Sequence, residues 1–349
     1  MVKKPTGGFS MGTLRQNIAV DLGSSGIRIC VEKKGLVIDE PSVVAVKRSG
    51  EVNAIGSMAR NIEGKTDEDD ITMVRPVKKG TISDYTVAVN MIGYFLDEAI
   101  KNPVRRLIKP DVITAVHCDT TNVGRRATER ALREAGAGRI FLIEAPLAAA
   151  IGSNLDVSAP NGKLVVCLGA EITDIAVVSY DDIVSATSVN VGGRTFDEAV
   201  KTYFRREYKM VLGDRTAEKI KNEFVCVYRD VRVQPFDVSA FELSGRLPTD
   251  RQIQPEDMIK PLSDVAMPII EGISKVLENT PPELVSDIHQ RGIMLTGGLS
   301  KLAGLDIFIS KGTGIDTVIA EKPEYCVVNG CMKLLNSWSN ERKNEIMNN

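Results

Sequence analysis

Two widely separated stretches of this chain repeat one pattern: a short apolar strand, a turn of small or polar residues, and a returning apolar strand. The first runs Asn17-Ile18-Ala19-Val20-Asp21 into the turn Gly23-Ser24-Ser25-Gly26, then returns through Ile27, Ile29 and Val31 in alternation with Arg28 and Cys30. Period-2 alternation marks a strand with one buried face, and small residues at the tip let the chain reverse tightly. The second runs Lys163-Leu164-Val165-Val166-Cys167-Leu168-Gly169 through Glu171 and Thr173, then back along Asp174-Ile175-Ala176-Val177-Val178. Two such hairpins, roughly one domain length apart, point to an internally duplicated fold.

The intervening chain supplies strands and helices in alternation. Asp111-Val112-Ile113-Thr114-Ala115-Val116 reads as a strand, and Thr121 to Ala135 as a helix with Val123, Ala127 and Ala131 on one face and Gly136 as its stop. Ile140-Phe141-Leu142-Ile143 is a further strand, leading into an alanine-rich helix after Pro146. Strand, helix, strand, helix is an α/β arrangement. With 349 residues, 43% of them hydrophobic, the chain is long enough for two lobes with separate cores. The expected partition is a basic N-terminus (1–16), a first lobe (17–145) with a small subdomain near 38–72, a second lobe (146–334) with one near 191–247, and a polar tail (335–349). In the second subdomain Phe196, Val200 and Phe204 form an apolar helical stripe. Trp338, the only tryptophan, reads as local packing within the tail.

A formal charge of −2 argues against nucleic acid as a partner. Six cysteines without a CxxC pair, several in apolar runs, read as reduced core thiols of a cytoplasmic protein. With only His117 and His289, no His/Cys cluster has zinc-ligand spacing. The basic start lacks the apolar run of a signal peptide, and no stretch has the roughly 20 apolar residues of a spanning helix. Attachment to a membrane surface stays open.

Three segments carry candidate chemistry. Backbone N–H groups of the first turn can approach phosphate oxygens, with Asp21 placed to hold a hydrated Mg²⁺. Alone, Asp-x-Gly fits a plain β-turn as well. Ile293-Met294-Leu295-Thr296-Gly297-Gly298 is a strand running into paired glycines, with a helix expected from Ser300, a junction able to present N–H groups to an anion or nucleoside. Gly213 to Lys221 is a capped helix with Glu218 and Lys221 three apart on one face; by itself it is equally a solvated surface helix.

In this order, these stretches resemble the MreB family of bacterial actin-like cell-shape proteins, from Asn17 to Leu335. The diagnostic segments are Asp39-Glu40-Pro41-Ser42-Val43-Val44-Ala45-Val46, Val74-Arg75-Pro76-Val77-Lys78-Lys79-Gly80, Pro146-Leu147-Ala148-Ala149-Ala150-Ile151-Gly152, Phe196-Asp197-Glu198-Ala199 and Leu295-Thr296-Gly297-Gly298. The resemblance implies the actin-type ATPase fold, an α/β fold of two duplicated lobes each with a smaller inserted subdomain, holding ATP or ADP and Mg²⁺. It also implies self-assembly into filaments at the inner-membrane surface, with active paralogues and the cell-wall elongation machinery as partners. By that resemblance Ser24, Ser25 and Gly26, with Gly169, Ala170 and Glu171, would face the phosphates. Glu218, Lys219, Ile220 and Lys221, with Gly297, Gly298, Leu299 and Ser300, would face the nucleoside.

The chain departs from the family at the chemistry. Ala145 stands where a glutamate positions the attacking water, Cys167 where an aspartate sits on the Mg²⁺ side, Glu171 where a glycine approaches phosphate, and Leu299 at the third glycine of the nucleoside loop. Lys79 and Arg194 stand where acids are common. Alanine neither orients nor deprotonates water. The expectation is therefore a filament protein of cell shape that binds nucleotide with weak or absent hydrolysis. A working ATPase or small-molecule phosphotransferase of the superfamily, and a non-polymerising regulatory adaptor, are the alternatives. The segment Val104-Arg105-Arg106-Leu107-Ile108 mixes cations with apolar tips, as a contact with an anionic leaflet or an ordinary wet loop would.

Overall fold

The computed structural model describes residues 15–65, 70–101, 108–242 and 248–347, with side chains as far as Trp338. The chain divides into two compact units. Unit 1 takes the described residues up to Ala159, with Tyr180–Asp182 and the C-terminal segment from Tyr325; unit 2 takes Pro160–Ser179 and Ile183–Glu324.

Unit 1 begins with β1 (Asn17–Leu22), β2 (Gly26–Val31) and β3 (Gly35–Pro41), then β4 (Val44–Lys47), β5 (Val52–Ile55), α1 (Ser57–Ile62) and β6 (Ile71–Val74). It continues with β7 (Val77–Lys78), β8 (Thr81–Ile82), α2 (Tyr85–Ile100), β9 (Asp111–Val116), α3 (Asn122–Glu134), β10 (Ile140–Glu144) and α4 (Ala145–Gly152). Unit 2 holds β11 (Lys163–Leu168), β12 (Thr173–Ser179), β13 (Asp182–Val189), α5 (Gly193–Tyr203), β14 (Met210–Val211), α6 (Asp214–Glu223), β15 (Phe236–Glu242) and β16 (Pro248–Ile253). It ends with α7 (Ile259–Glu278), α8 (Pro282–Arg291), β17 (Ile293–Thr296), α9 (Leu305–Thr313) and β18 (Thr317–Ile319), after which α10 (Cys326–Met347) returns the chain to unit 1.

The duplication is visible in the sheets. Unit 1 has strand order β10-β9-β1-β2-β3 and unit 2 has β18-β17-β11-β12-β13, so the first hairpin occupies the same place in each. In both, the hairpin is antiparallel and the later strands, β9 and β17, run parallel to the first strand. Each unit has its own core: Ile18, Val20, Ile27, Ile29, Met91 and Leu96 in unit 1, and Val166, Ile175, Phe196, Phe204, Ile269 and Leu295 in unit 2. Burying each such side chain contributes about 1.5–3 kcal/mol. Smaller sheets, β5-β4-β6 in unit 1 and β14-β15-β16 in unit 2, stand apart from the main ones.

Several expectations are corrected. The boundary falls after Ala159 and not at 145/146, because α4 packs on α10 inside unit 1. Small residues make that packing possible: a Cβ on Gly152 would overlap the Cys326 backbone, and one on Gly330 the Ala148 carbonyl. The segment after Leu335 is therefore the continuation of a docked helix, with the Trp338 ring edge-on to Phe141 at 5.6 Å between centroids. In α3, Thr121 caps the helix by accepting the Gly124 N–H (3.1 Å), but the buried face is Thr128, Ala131 and Leu132, while Val123 is 78% exposed. Of the expected stripe Ala131 is buried and Ala127 half-buried, so only its first-turn member lies outside the packed face. No helix among the described residues is long and apolar enough to cross a membrane. Val104 to Leu107 lie outside the described residues; Ile108 is half-buried.

Candidate functional site

In unit 2 the chain leaves β11 at Leu168 and re-enters the sheet at Thr173. The Gly169 N–H donates to the Ile172 carbonyl (3.0 Å), and a Cβ at 169 would lie 2.7 Å from that oxygen, so the turn closes only around glycine. Unit 1 repeats the closure: the Gly23 N–H donates to the Gly26 carbonyl (3.0 Å), and a Cβ at 23 would lie 2.9 Å from it. The matching turns place Ser24 with Ala170 and Ser25 with Glu171. The registers Asp21↔Arg28 and Cys167↔Asp174 match as well, so the carboxylate on the outgoing strand of unit 1 has its counterpart on the returning strand of unit 2.

The N-terminus of α5 is fastened to the unit 2 turn. Gly193 and Arg194 donate their N–H groups to the carbonyls of Gly169 (3.0 Å) and Ala170 (2.8 Å), and a Cβ on Gly192 would sit 2.5 Å from the Ala170 and Glu171 backbone. Thr173, fully buried, donates its hydroxyl to the Val191 carbonyl (2.8 Å). From this fixed base the Arg194 guanidinium reaches the Glu171 carboxylate at 2.6 Å, a short charge-assisted bond with both groups partly buried. The carboxylate that seemed set against phosphate thus carries its own cation.

Helix α6 is tied to the same place. Lys221 Nζ lies 2.8 Å from Asp197 Oδ1 and donates to the Gly193 carbonyl (3.3 Å). Burial raises the Asp197 pKa, with Lys221 pulling the other way. Of the four α6 residues among those expected at a nucleoside, Lys221 is therefore buried in an internal ion pair and Ile220 is core. Lys219 is exposed beside Glu223 (3.9 Å), and Glu218 is half-buried. Helical spacing put Glu218 and Lys221 on one face correctly, but that face turns inward.

At the end of β17 the Thr296 hydroxyl donates to Cys167 Sγ (3.1 Å). Gly297 takes a positive φ of 84° and presses on Leu168, and its N–H is used by the Pro323 carbonyl (2.8 Å). Gly298 opens a short 3-10 turn, Gly298–Lys301, where a Cβ would meet nothing within 4 Å. Leu299 and Ser300 are buried, and the α-helix expected from Ser300 starts at Leu305, since Leu302 is extended. Turn 169–171, the start of α5 and the Gly298 corner all lie at one end of β11 and β17.

In unit 1, Ser24 is buried and Ser25 exposed, and the Ser25 carbonyl accepts the Ser42 N–H (3.0 Å). Asp21 is paired across the hairpin with Arg28 (3.4 Å), and Arg28 also meets Asp39 (3.2 Å) and lies over the Tyr325 ring (5.6 Å). Tyr325 donates its hydroxyl to Asp39 (2.9 Å). Burial raises the Asp21 pKa against the opposing pull of Arg28 and His117. Ala145 is the first residue of α4 and is buried; Glu144 before it is held by Arg125 (2.9 Å).

A magnesium ion fits these residues poorly. Mg²⁺ wants hard oxygen ligands, mostly water held by carboxylates. Cys167 offers a thiol already accepting a hydroxyl, Asp174 opposite is 1% exposed and accepts the Ser188 hydroxyl (2.5 Å), and Asp21 and Glu171 each face an arginine.

The duplicated topology meets its decisive comparison in the family model described as MreB/Mbl protein, which matches residues 15–343. The chain belongs to the MreB/Mbl family. It is 38% identical over 340 residues to the cell shape-determining protein MreB of Escherichia coli (strain K12), covering 96% of each chain. It is 34% identical over 332 residues to the cell shape-determining protein Mbl of Bacillus subtilis (strain 168), covering 95% of this chain and 99% of Mbl. Among solved structures it is similar to MreB5 of Spiroplasma citri bound to ADP, with TM-score 0.89, 28% identity, and 95% and 99% of the two chains covered. The MamK double helical filament subunit shares the fold, with TM-score 0.76 at 18% identity over 92% of this chain and 99% of MamK. The expected actin-type ATPase fold is thus the fold of this MreB/Mbl chain.

What the sequence reasoning missed are the two arginines. The hairpin register that sets Asp21 opposite Arg28 is readable from alternation, since both fall on the polar face of one hairpin. The Glu171–Arg194 pair spans 23 residues and had no sequence signal beyond two out-of-place charges.

Proposed function

We propose that this chain is an actin-like filament subunit of bacterial cell shape that binds ATP or ADP and hydrolyses it weakly or not at all. The observation that carries the reading is the pair of equivalent glycine-closed turns, in a chain of this family. Successive backbone N–H groups in such a turn make a nest for phosphate oxygens. The ADP- and AMPPNP-bound MreB5 structures support it, at 28% identity over nearly the full chain.

Weak hydrolysis is argued from Ala145 and from Glu144. The first has no group to position water, and the second is engaged by Arg125. Losing general acid–base help costs on the order of 10²–10⁴ in rate. Phosphate release and equilibrium ATP titration on the wild type beside the double variant Ala145→Glu, Cys167→Asp test both parts. Saturable binding by both proteins, with turnover gained only in the variant, is expected. No saturable signal at millimolar ATP refutes binding, and wild-type turnover at the rate of an active family member refutes weak hydrolysis.

Sedimentation above a critical concentration tests assembly; a non-polymerising adaptor stays in the supernatant. Co-sedimentation with an active paralogue tests co-assembly. A phosphotransferase would need an available acid or base at the unit 2 turn, and Glu171 is engaged by Arg194. The segment from Val104 to Ile108 is our candidate contact with the cytoplasmic leaflet of the inner membrane, where the cell-wall elongation machinery would be met. Liposome flotation of Leu107→Ser, Ile108→Ser beside wild type tests it, and equal flotation removes it.

A further inference from the structure

We propose that this chain binds its nucleotide without a divalent cation, with Arg194 taking the metal's place beside the phosphates at the unit 2 turn; the inference rests on the nucleotide-binding reading above. Beside the closed Lys221–Asp197 pair, the described residues that bear on a metal there are Cys167, Asp174, Glu171 and Arg194. Cys167 accepts the Thr296 hydroxyl (3.1 Å), and its soft sulfur stands where a hard oxygen ligand would be needed. Asp174, directly across the hairpin, is 1% exposed and its Oδ1 accepts the Ser188 hydroxyl, so it is buried away from the water that a hydrated ion carries. Glu171 is the carboxylate of the turn itself, and Arg194 holds it at 2.6 Å.

A second, doubly charged cation beside Arg194 would meet repulsion and no unmatched carboxylate. Arg194, by contrast, suits a phosphate well. Its backbone N–H is fixed to the Ala170 carbonyl (2.8 Å), so the side chain departs from the turn that would carry the phosphate. A guanidinium stays charged at every relevant pH and presents its donors in a planar fork that matches a phosphate as well as it matches a carboxylate. An arriving phosphate therefore competes with Glu171 for Arg194. Unit 1 differs at the matching places: Ser25 stands where Glu171 does, and Asp21 is paired across the hairpin strands with Arg28 (3.4 Å).

The test is equilibrium titration of the full-length protein with ATP, once in excess Mg²⁺ and once in EDTA. Wild-type dissociation constants should agree within about three-fold, because no resident carboxylate recruits the ion. Glu171→Gln should tighten ATP by about ten-fold in both buffers, by removing a like charge and a competitor, and Arg194→Gln should weaken it by a similar factor. Cys167→Asp with Arg194→Asp should make binding depend on Mg²⁺. Wild-type affinity that falls more than about ten-fold in EDTA overturns the inference and leaves nucleotide binding standing. No ATP binding in either buffer overturns both. Should Arg194→Gln fail to fold by circular dichroism, Glu171→Gln still decides, since unchanged affinity there removes the competition on which the proposal depends.

Discussion

Lys221 separates a structural role from a ligand-binding one more sharply than any other residue of the candidate site. Its Nζ lies 2.8 Å from Asp197 Oδ1, with the two side chains 8% and 16% exposed. Lys221→Met keeps the aliphatic stem and removes the charge, leaving a carboxylate in a place whose burial raises its pKa even with Lys221 present. Removing one partner of a buried pair costs about 3–5 kcal/mol. The abandoned carboxylate can instead take a proton, which from its ordinary value of 3.8 costs about 1.36 kcal/mol per pH unit, or about 4 kcal/mol at pH 7 and about 1.6 kcal/mol at pH 5. The smaller cost governs, so the expected loss is about 3–4 kcal/mol at pH 7 and about 1.5 kcal/mol at pH 5. The sign follows from linkage: a carboxyl with a raised native pKa contributes most below its unfolded value, and the contribution is lost as pH rises through the native one. The variant widens that window upward. Urea unfolding followed by circular dichroism at the two pH values reads the difference, and adding Asp197→Asn should recover most of the pH 7 loss. A variant as stable as wild type at pH 7, or equally destabilised at both pH values, would refute the reasoning. Retained stability with lost ATP affinity would return Lys221 to the nucleoside role that its sequence position implied.

Gly330→Val puts side-chain atoms where the Ala148 carbonyl lies, and should lower stability by about 3 kcal/mol or more; an unchanged thermal midpoint would show that α4 and α10 can separate freely. Burial pushes the Cys30 thiol up to about 11 and that of Cys331 well above the ordinary range. Half-buried Cys118 should therefore react first with a disulfide reagent at mildly alkaline pH, with Cys30 and Cys331 labelled only on unfolding; mass spectrometry of labelled peptides reads the order. Arg125→Ala breaks a pair with Glu144 in which both side chains are about one-quarter exposed, and should cost no more than about 1 kcal/mol by the same urea measurement.

The fold was legible because it is written in patterns of short range. Alternation in β1 and β2, and again in β11 and β12, needs only neighbouring residues, and a repeated hairpin implies a repeated sheet. The errors came where a side chain's fate depends on what packs against it. Val123 and Thr128 lie on one helix yet differ in burial, and Lys221 is internal because Asp197, 24 positions earlier, faces it across two helices. The unit 2 turn shows the same limit in its chemistry. Taken singly, Glu171 is a carboxylate in the wrong place and Arg194 a cation in the wrong place, and each reads as decay. Fastened through the Ala170 carbonyl and joined at 2.6 Å, they form one neutral pair with its cation mounted beside the turn. Cys167 belongs to the same change, because a thiol satisfied by Thr296 leaves no second acid to compete for Arg194. On the function proposed above, loss of hydrolysis and retention of nucleotide would have separate physical causes: the first in Ala145 of unit 1, and the second in a charge arrangement contained within unit 2.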